Sequence, residues 1–141
     1  MKDKDIDKIR AFNRFYTNHI GLLDQYIYHS RYSLAEVRVL FELYHGENLT
    51  ARQITNVLAM DKGFLSRMLR TFEKKGLIKR SQSKEDGRAT HIALTPAGRK
   101  EYEVLDREAD EQVEKILKSL SPGECRKLVD SMTAIRRILS K

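Results

Sequence analysis

Apolar residues recur every three or four positions through most of this chain. From Lys4 to about His29, Ile9, Phe12, Tyr16, Ile20, Leu23 and Ile27 mark one face of a long amphipathic helix, weakened locally at Gly21. Ser33 with Glu36 three residues on forms a reciprocal cap for a second helix. Its predicted buried stripe is Leu34, Val37, Leu40, Phe41 and Tyr44, and Gly46 ends it. Thr50 and Gln53 repeat the cap for a short helix from Ala51 to about Ala59, with Ile54, Val57 and Leu58 inward. Asp61 is the N-cap of a helix reaching Lys75, with Leu65, Leu69 and Phe72 in the core and Gly76 as its C′ residue.

After Gly76 the period changes to two. Leu77 to Gln82 and Thr90 to Thr95 alternate on either side of a charged tip, SKEDGRA, which predicts a β-hairpin. Thr95 and Pro96 then start a helix of about 24 residues lined by Tyr102, Leu105, Ala109, Val113, Ile116, Leu117 and Leu120. Ser121, Pro122 and Glu124 open a last helix, buried through Leu128, Met132, Ile135 and Leu139. The fold class is therefore mainly α with a small β-hairpin, α+β, whose middle reads as a helix-turn-helix followed by a wing.

Charge changes the picture through its position. The chain of 141 residues carries a formal net charge of +7, and residues 60 to 90 hold nine Lys and Arg against four Asp and Glu, while the remainder is nearly balanced. A basic block inside a balanced chain points to a polyanion, and nucleic acid is the default candidate. No run approaches the roughly 18 apolar residues of a membrane span, and MKDKDIDKIR lacks the apolar segment of a signal peptide. A cytoplasmic location is expected, in agreement with a single cysteine, Cys125, that has no partner for an internal disulfide.

In a helix-turn-helix the second helix enters the major groove. With Leu65, Leu69 and Phe72 inward, DKGFLSRMLRTFEKK presents Lys62, Gly63, Ser66, Arg67 and Arg70 outward. Arg67 suits bidentate contact with guanine, Ser66 is a short donor or acceptor, and Gly63 permits close backbone approach. On the preceding helix Thr50, Arg52, Gln53 and Asn56 are placed to hold the phosphate backbone. These positions would equally serve as solvated faces of two small helices. The chain shows no nucleophile with a base, no phosphate-binding glycine loop and no paired carboxylates in an apolar setting, so no enzyme activity and no cofactor are expected. His19, His29, His45 and His91 are scattered without metal-ligand spacing, and no metal site is expected.

Leu49 to Arg99 resembles the winged helix-turn-helix core of the MarR family of bacterial transcriptional regulators. The resemblance rests on Asp61, Ser66-Arg67, Glu73, Gly76-Leu77-Ile78, Arg80, Asp86-Gly87-Arg88, Leu94-Thr95 and Gly98, and the flanking helices match the family's order. RAFNRFYTNHIGLLDQ with YSLAEVRVLFEL is most similar to modules fused to N-acetyltransferase domains. The sequence stops at Lys141 before any such domain, and no acetyltransferase activity is carried over.

The resemblance implies a homodimer built from residues 1–30 and 96–141, with residues 31–95 as the DNA-binding winged region. It implies a regulator, in the first instance a repressor, on a pseudo-palindromic double-stranded DNA site. Each wing tip would enter a minor groove, with Asp86 holding Arg88 and Lys84 beside them. The chemistry agrees: Gly87 permits φ > 0, a carboxylate two residues away can orient a guanidinium, and narrow A·T-rich grooves attract Arg. Asn13, Tyr16 and His19 form a polar cluster on the first helix that would suit a pocket for a small-molecule effector, or simply sit at the edge of the core. Cys125 reads as a packed or surface thiol without a role. A protein-interaction dimer in which the basic wing plays no part is the competing reading.

Overall fold

The computed structural model describes residues 2–20, 31–82 and 87–141. Among the described residues six helices and one hairpin follow in the order α1 (Lys2–His19), α2 (Leu34–His45), α3 (Ala51–Leu58), α4 (Lys62–Lys74), β1 (Ile78–Gln82), β2 (Thr90–Leu94), α5 (Pro96–Lys118) and α6 (Pro122–Leu139). The chain divides into two compact units, Met1–Leu105 and Asp106–Lys141. No helix among the described residues is long and apolar enough to cross a membrane.

The first unit is organised by its caps. Ser33 Oγ accepts the Glu36 N–H at 3.2 Å while the Glu36 carboxylate accepts the Ser33 N–H at 3.0 Å. Thr50 and Gln53 repeat this reciprocal pair at 3.2 and 2.9 Å. Each pair satisfies two N–H groups that the first turn leaves without helical partners. At α4, Asp61 Oδ2 accepts the Phe64 N–H at 2.9 Å, and the far end closes through Gly76 at φ 74°, where Leu77 N–H reaches Phe72 O at 2.9 Å and Gly76 N–H reaches Glu73 O at 3.0 Å. That pair of hydrogen bonds is the Schellman closure, and it needs a residue that adopts positive φ freely. It turns the chain directly from α4 into β1.

The core gathers Tyr32, Val39, Leu40 and Leu43 from the α2 region, Ile54 from α3, and Leu65, Met68, Leu69 and Phe72 from α4. Leu77, Ile78, Ile92 and Leu94 join from the hairpin and Tyr102 and Leu105 from α5. β1 and β2 pair antiparallel with Ile78 opposite Leu94 and Arg80 opposite Ile92. Ile92 also donates its N–H to Leu49 O at 2.8 Å, so the wing is tied to the segment between α2 and α3. The sequence offered no local signal for this bridge.

Three readings of buried faces are corrected. On α2 the buried residues are Val39, Leu40 and Leu43; Val37 and Tyr44 pack partly buried against the core as expected, and Phe41 is exposed. This helix is apolar around most of its circumference, so the pattern left its phase open and packing on α3 and the hairpin chose it. On α3, Ala51, Ile54, Thr55 and Leu58 turn inward and Val57 is 64% exposed. Val57 lies about a sixth of a turn beyond Ile54, outside that arc, at 3.6 residues per turn.

The third correction falls in the second unit. There Ser121 and Glu124 cap α6 reciprocally at 3.0 and 3.1 Å, and the Ser121 N–H holds the Glu124 carboxyl below its usual value of 4.5. No residue of α6 is buried: Met132 and Ile135 are each 41% exposed and Leu139 79%. α1 likewise has no buried residue among those described. Gly21, Leu23 and Ile27 of the expected longer first helix lie outside the described residues.

Candidate nucleic-acid interface

α4 is held by one face and presents the other. Leu65, Met68, Leu69 and Phe72 are buried, and Lys62, Ser66, Arg67 and Arg70 are exposed, with Gly63 half-buried in the first turn. A Cβ added to Gly63 would lie 3.3 Å from Asp61 Oδ2 and 3.4 Å from Arg67 Nη1. The Arg67 guanidinium therefore lies over the bare backbone at the start of α4, where the helix dipole and the cap gather. Met68 is core beside Leu65, Leu69 and Phe72, and the bonded cap at Asp61 fixes the direction in which the helix leaves.

Arg52 and Gln53 sit exposed in the first turn of α3. Gln53 spends its side-chain oxygen on the Thr50 N–H, which leaves its amide group as the part available to a ligand. Between α3, α4 and the wing lies a concavity of about 390 Å³ bordered by Arg52, Thr55, Lys62, Ser66, Leu69 and Arg80. Three cations thus frame one groove beside the exposed face of α4. Arg80 donates from Nε to Glu73 Oε2 at 3.1 Å, an ion pair that links β1 to α4 and fixes where this cation stands. By the two-residue period Arg80 falls on the side of buried Ile78 and opposite buried Ile92, so the alternation gave no signal for it, and it was not among the expected contact residues.

At the wing, Gly87 and Arg88 are exposed just before β2. A Cβ on Gly87 would meet no described atom within 4 Å, so crowding is not what calls for glycine there. Lys84 and Asp86 lie outside the described residues, and with them the expected Asp86–Arg88 pair. On α1, Asn13 and His19 are exposed and Tyr16 is half-buried; Tyr16 stacks on Phe12 at 5.7 Å and His19 on Phe15 at 5.8 Å. Tyr16 and His19 therefore face different aromatic neighbours. Cys125 is half-buried, with Sγ 3.8 Å from Leu117 O.

Known proteins show the same frame. The sequence profile of the MarR family matches residues 32–90. An HTH-type transcriptional regulator of Bacillus subtilis, YdgJ, is 28% identical over 104 residues, which span 74% of this chain and 63% of that protein. The organic hydroperoxide resistance transcriptional regulator of Bacillus subtilis is 41% identical over 59 residues, 42% of this chain and 40% of its own length. The matched region thus falls short of two thirds of either relative. Among solved structures, the Streptococcus pneumoniae FabT–DNA complex superposes with a TM-score of 0.79 at 24% identity, covering 96% of this chain and 97% of FabT. The S. aureus MepR–DNA complex gives 0.71 at 25% identity, covering 92% of this chain and 96% of MepR.

Proposed function

We propose that this chain, whose residues 32–90 match the MarR family profile, is a winged-helix transcriptional regulator of that family that binds double-stranded DNA as a homodimer. The observation that carries this reading is the outer face of α4, where Lys62, Ser66, Arg67 and Arg70 stand exposed beside the groove framed by Arg52 and Arg80. In the proposed complex α4 enters a major groove, Arg67 and Ser66 read base edges, and Lys62, Arg70, Arg52 and Gln53 hold phosphates. Gly87 and Arg88, with Lys84 and Asp86, form the tip that reaches the adjacent minor groove.

The exposed apolar residues of the terminal helices support pairing of two copies. Ile9 and Phe12 on α1, Val113 on α5, and Val129, Met132 and Ile135 on α6 all need a second surface. Residues 1–30 and 96–141 form that interface in our reading, and two copies of α4 then meet half-sites about 34–36 Å apart on a pseudo-palindrome. Tyr102 and Leu105 remain with the winged region, since both are buried in its core. The regulator acts as a repressor, released by a small molecule bound near Asn13, Tyr16 and His19 once the dimer encloses them.

Fluorescence anisotropy with duplex DNA across a salt series tests the core of this proposal. Each phosphate neutralised contributes a slope of about −0.9 to the dependence of log affinity on log salt. Affinity should fall steeply with salt, and a salt-insensitive association would refute duplex binding through these cations.

A further inference from the structure

One aromatic ring on α4 fits neither its buried ridge nor its cationic face. Phe64 is 44% exposed in the first turn, with its N–H bonded to Asp61 Oδ2 at 2.9 Å. The core side of the helix is already filled by Leu65, Met68, Leu69 and Phe72, and position 64 lies about a quarter turn away from them. The ring instead borders a shallow concavity of about 250 Å³ together with Arg67, Met68 and Thr71. Ser33 and Glu36 of the α2 cap close its other side.

We propose that Phe64 is a specificity-determining residue whose ring packs against the C5-methyl group of a thymine in the major groove, beside the base that Arg67 reads. The inference rests on the proposed function and deepens it. The thymine methyl is the apolar feature that base edges present in the major groove, and phenylalanine is one of the side chains suited to it. Phe64 and Arg67 are three residues apart, so they share one side of α4 with Cβ atoms about 5–6 Å apart. Along a duplex rising about 3.4 Å per base pair, that separation places the thymine within one or two steps of the base under Arg67. A ring held by a bonded backbone loses little freedom on docking, and covering it removes apolar surface from water.

The test begins with a random-sequence duplex pool from which the purified full chain recovers its preferred site. Each thymine of that site is then replaced singly by deoxyuridine, which deletes the methyl and keeps the hydrogen-bonding groups. The wild type should lose about fourfold in affinity per methyl removed at one symmetry-related thymine. Phe64→Ala should bind the thymine and deoxyuridine duplexes alike, and Phe64→Leu should keep part of the discrimination; the leucine variant decides the matter if the alanine variant unfolds. Wild-type binding indifferent to every deoxyuridine, or equal discrimination by Phe64→Ala, overturns the thymine contact and leaves the proposed function standing. A pool that yields no bound duplex overturns both.

Discussion

Gly98 lies directly against the backbone of Leu77: a Cβ built on it would overlap the Leu77 carbonyl oxygen and sit 3.0 Å from the carbonyl carbon. Contact this close lets the first turn of α5 rest on the root of the wing. There the Thr95 N–H donates to Leu77 O at 3.0 Å and Thr95 Oγ1 donates to Gly76 O at 2.6 Å. The atom in the way belongs to the backbone, so it cannot swing aside as a side chain would. Gly98→Ala should therefore lower the unfolding free energy by about 1–3 kcal/mol, read as a shift of the urea midpoint at unchanged slope. A neutral result would mean that α5 lifts from Leu77 without cost.

The placement of Arg67 over Gly63 separates reading from holding. Arg67→Ala should cost about 1–3 kcal/mol and relax preference at one base-pair position. Lys62→Ala should weaken all duplexes by a similar factor and reduce the salt slope by about 1. Gly63→Ala adds a methyl within 3.4 Å of Arg67 Nη1, so it should disturb base preference while the helix itself gains about 0.8–1 kcal/mol of propensity. Anisotropy titrations against single-base variants of a selected site distinguish the three. Equal losses across the panel for Arg67→Ala would remove it from base reading.

These residues also mark how far the sequence alone could reach. The caps at Ser33–Glu36, Thr50–Gln53 and Ser121–Glu124 were legible because both partners lie within three residues, and each pair is bonded as its spacing implied. The exposed face of α4 was legible for a related reason: Leu65, Leu69 and Phe72 fix the helix phase, and the opposite side follows. Val57 and Phe41 were misassigned because several apolar residues compete for the inward arc, and only packing against distant elements decides among them. The Leu49–Ile92 bridge joins residues far apart in sequence and leaves no periodic trace. Phe64 was passed over because an aromatic inside an amphipathic helix reads as core until its exposure is known.

The exposed stripe of α6 leads to a prediction about assembly. Met132→Glu combined with Ile135→Glu places two charges where the proposed dimer buries apolar surface, and each carboxylate would be desolvated without a partner. Sedimentation should show a shift toward monomer at concentrations where the wild type is dimeric. Both positions are exposed in the single chain, so helix content should persist. Duplex affinity should fall by about 10²–10⁴ as the two half-sites lose their linkage. A double variant that sediments as the wild type does would move the interface off this face.

Tyr32 couples the start of α2 to α4 and gives the fold an alkaline limit. Its ring lies 6.5 Å from that of Phe72 on α4, with Lys75 Nζ 5.4 Å from the ring centre. Burial, reinforced by the hydrogen-bonded Glu101 carboxylate, pushes the phenol from 10.0 up to about 12. The folded state thus favours the neutral phenol. The stability this contributes is complete below pH 10 and is lost as pH rises through about 12. Tyr32→Phe removes the titrating group together with its bond to Glu101, so at neutral pH it should cost about 1 kcal/mol. Between pH 10 and 12 the two proteins should converge, because only the wild type surrenders this contribution as the pH climbs. Urea unfolding at a series of alkaline pH values measures the difference directly. Parallel decline of both proteins through that window would assign the alkaline loss to other groups and leave Tyr32 a packing residue beneath α4.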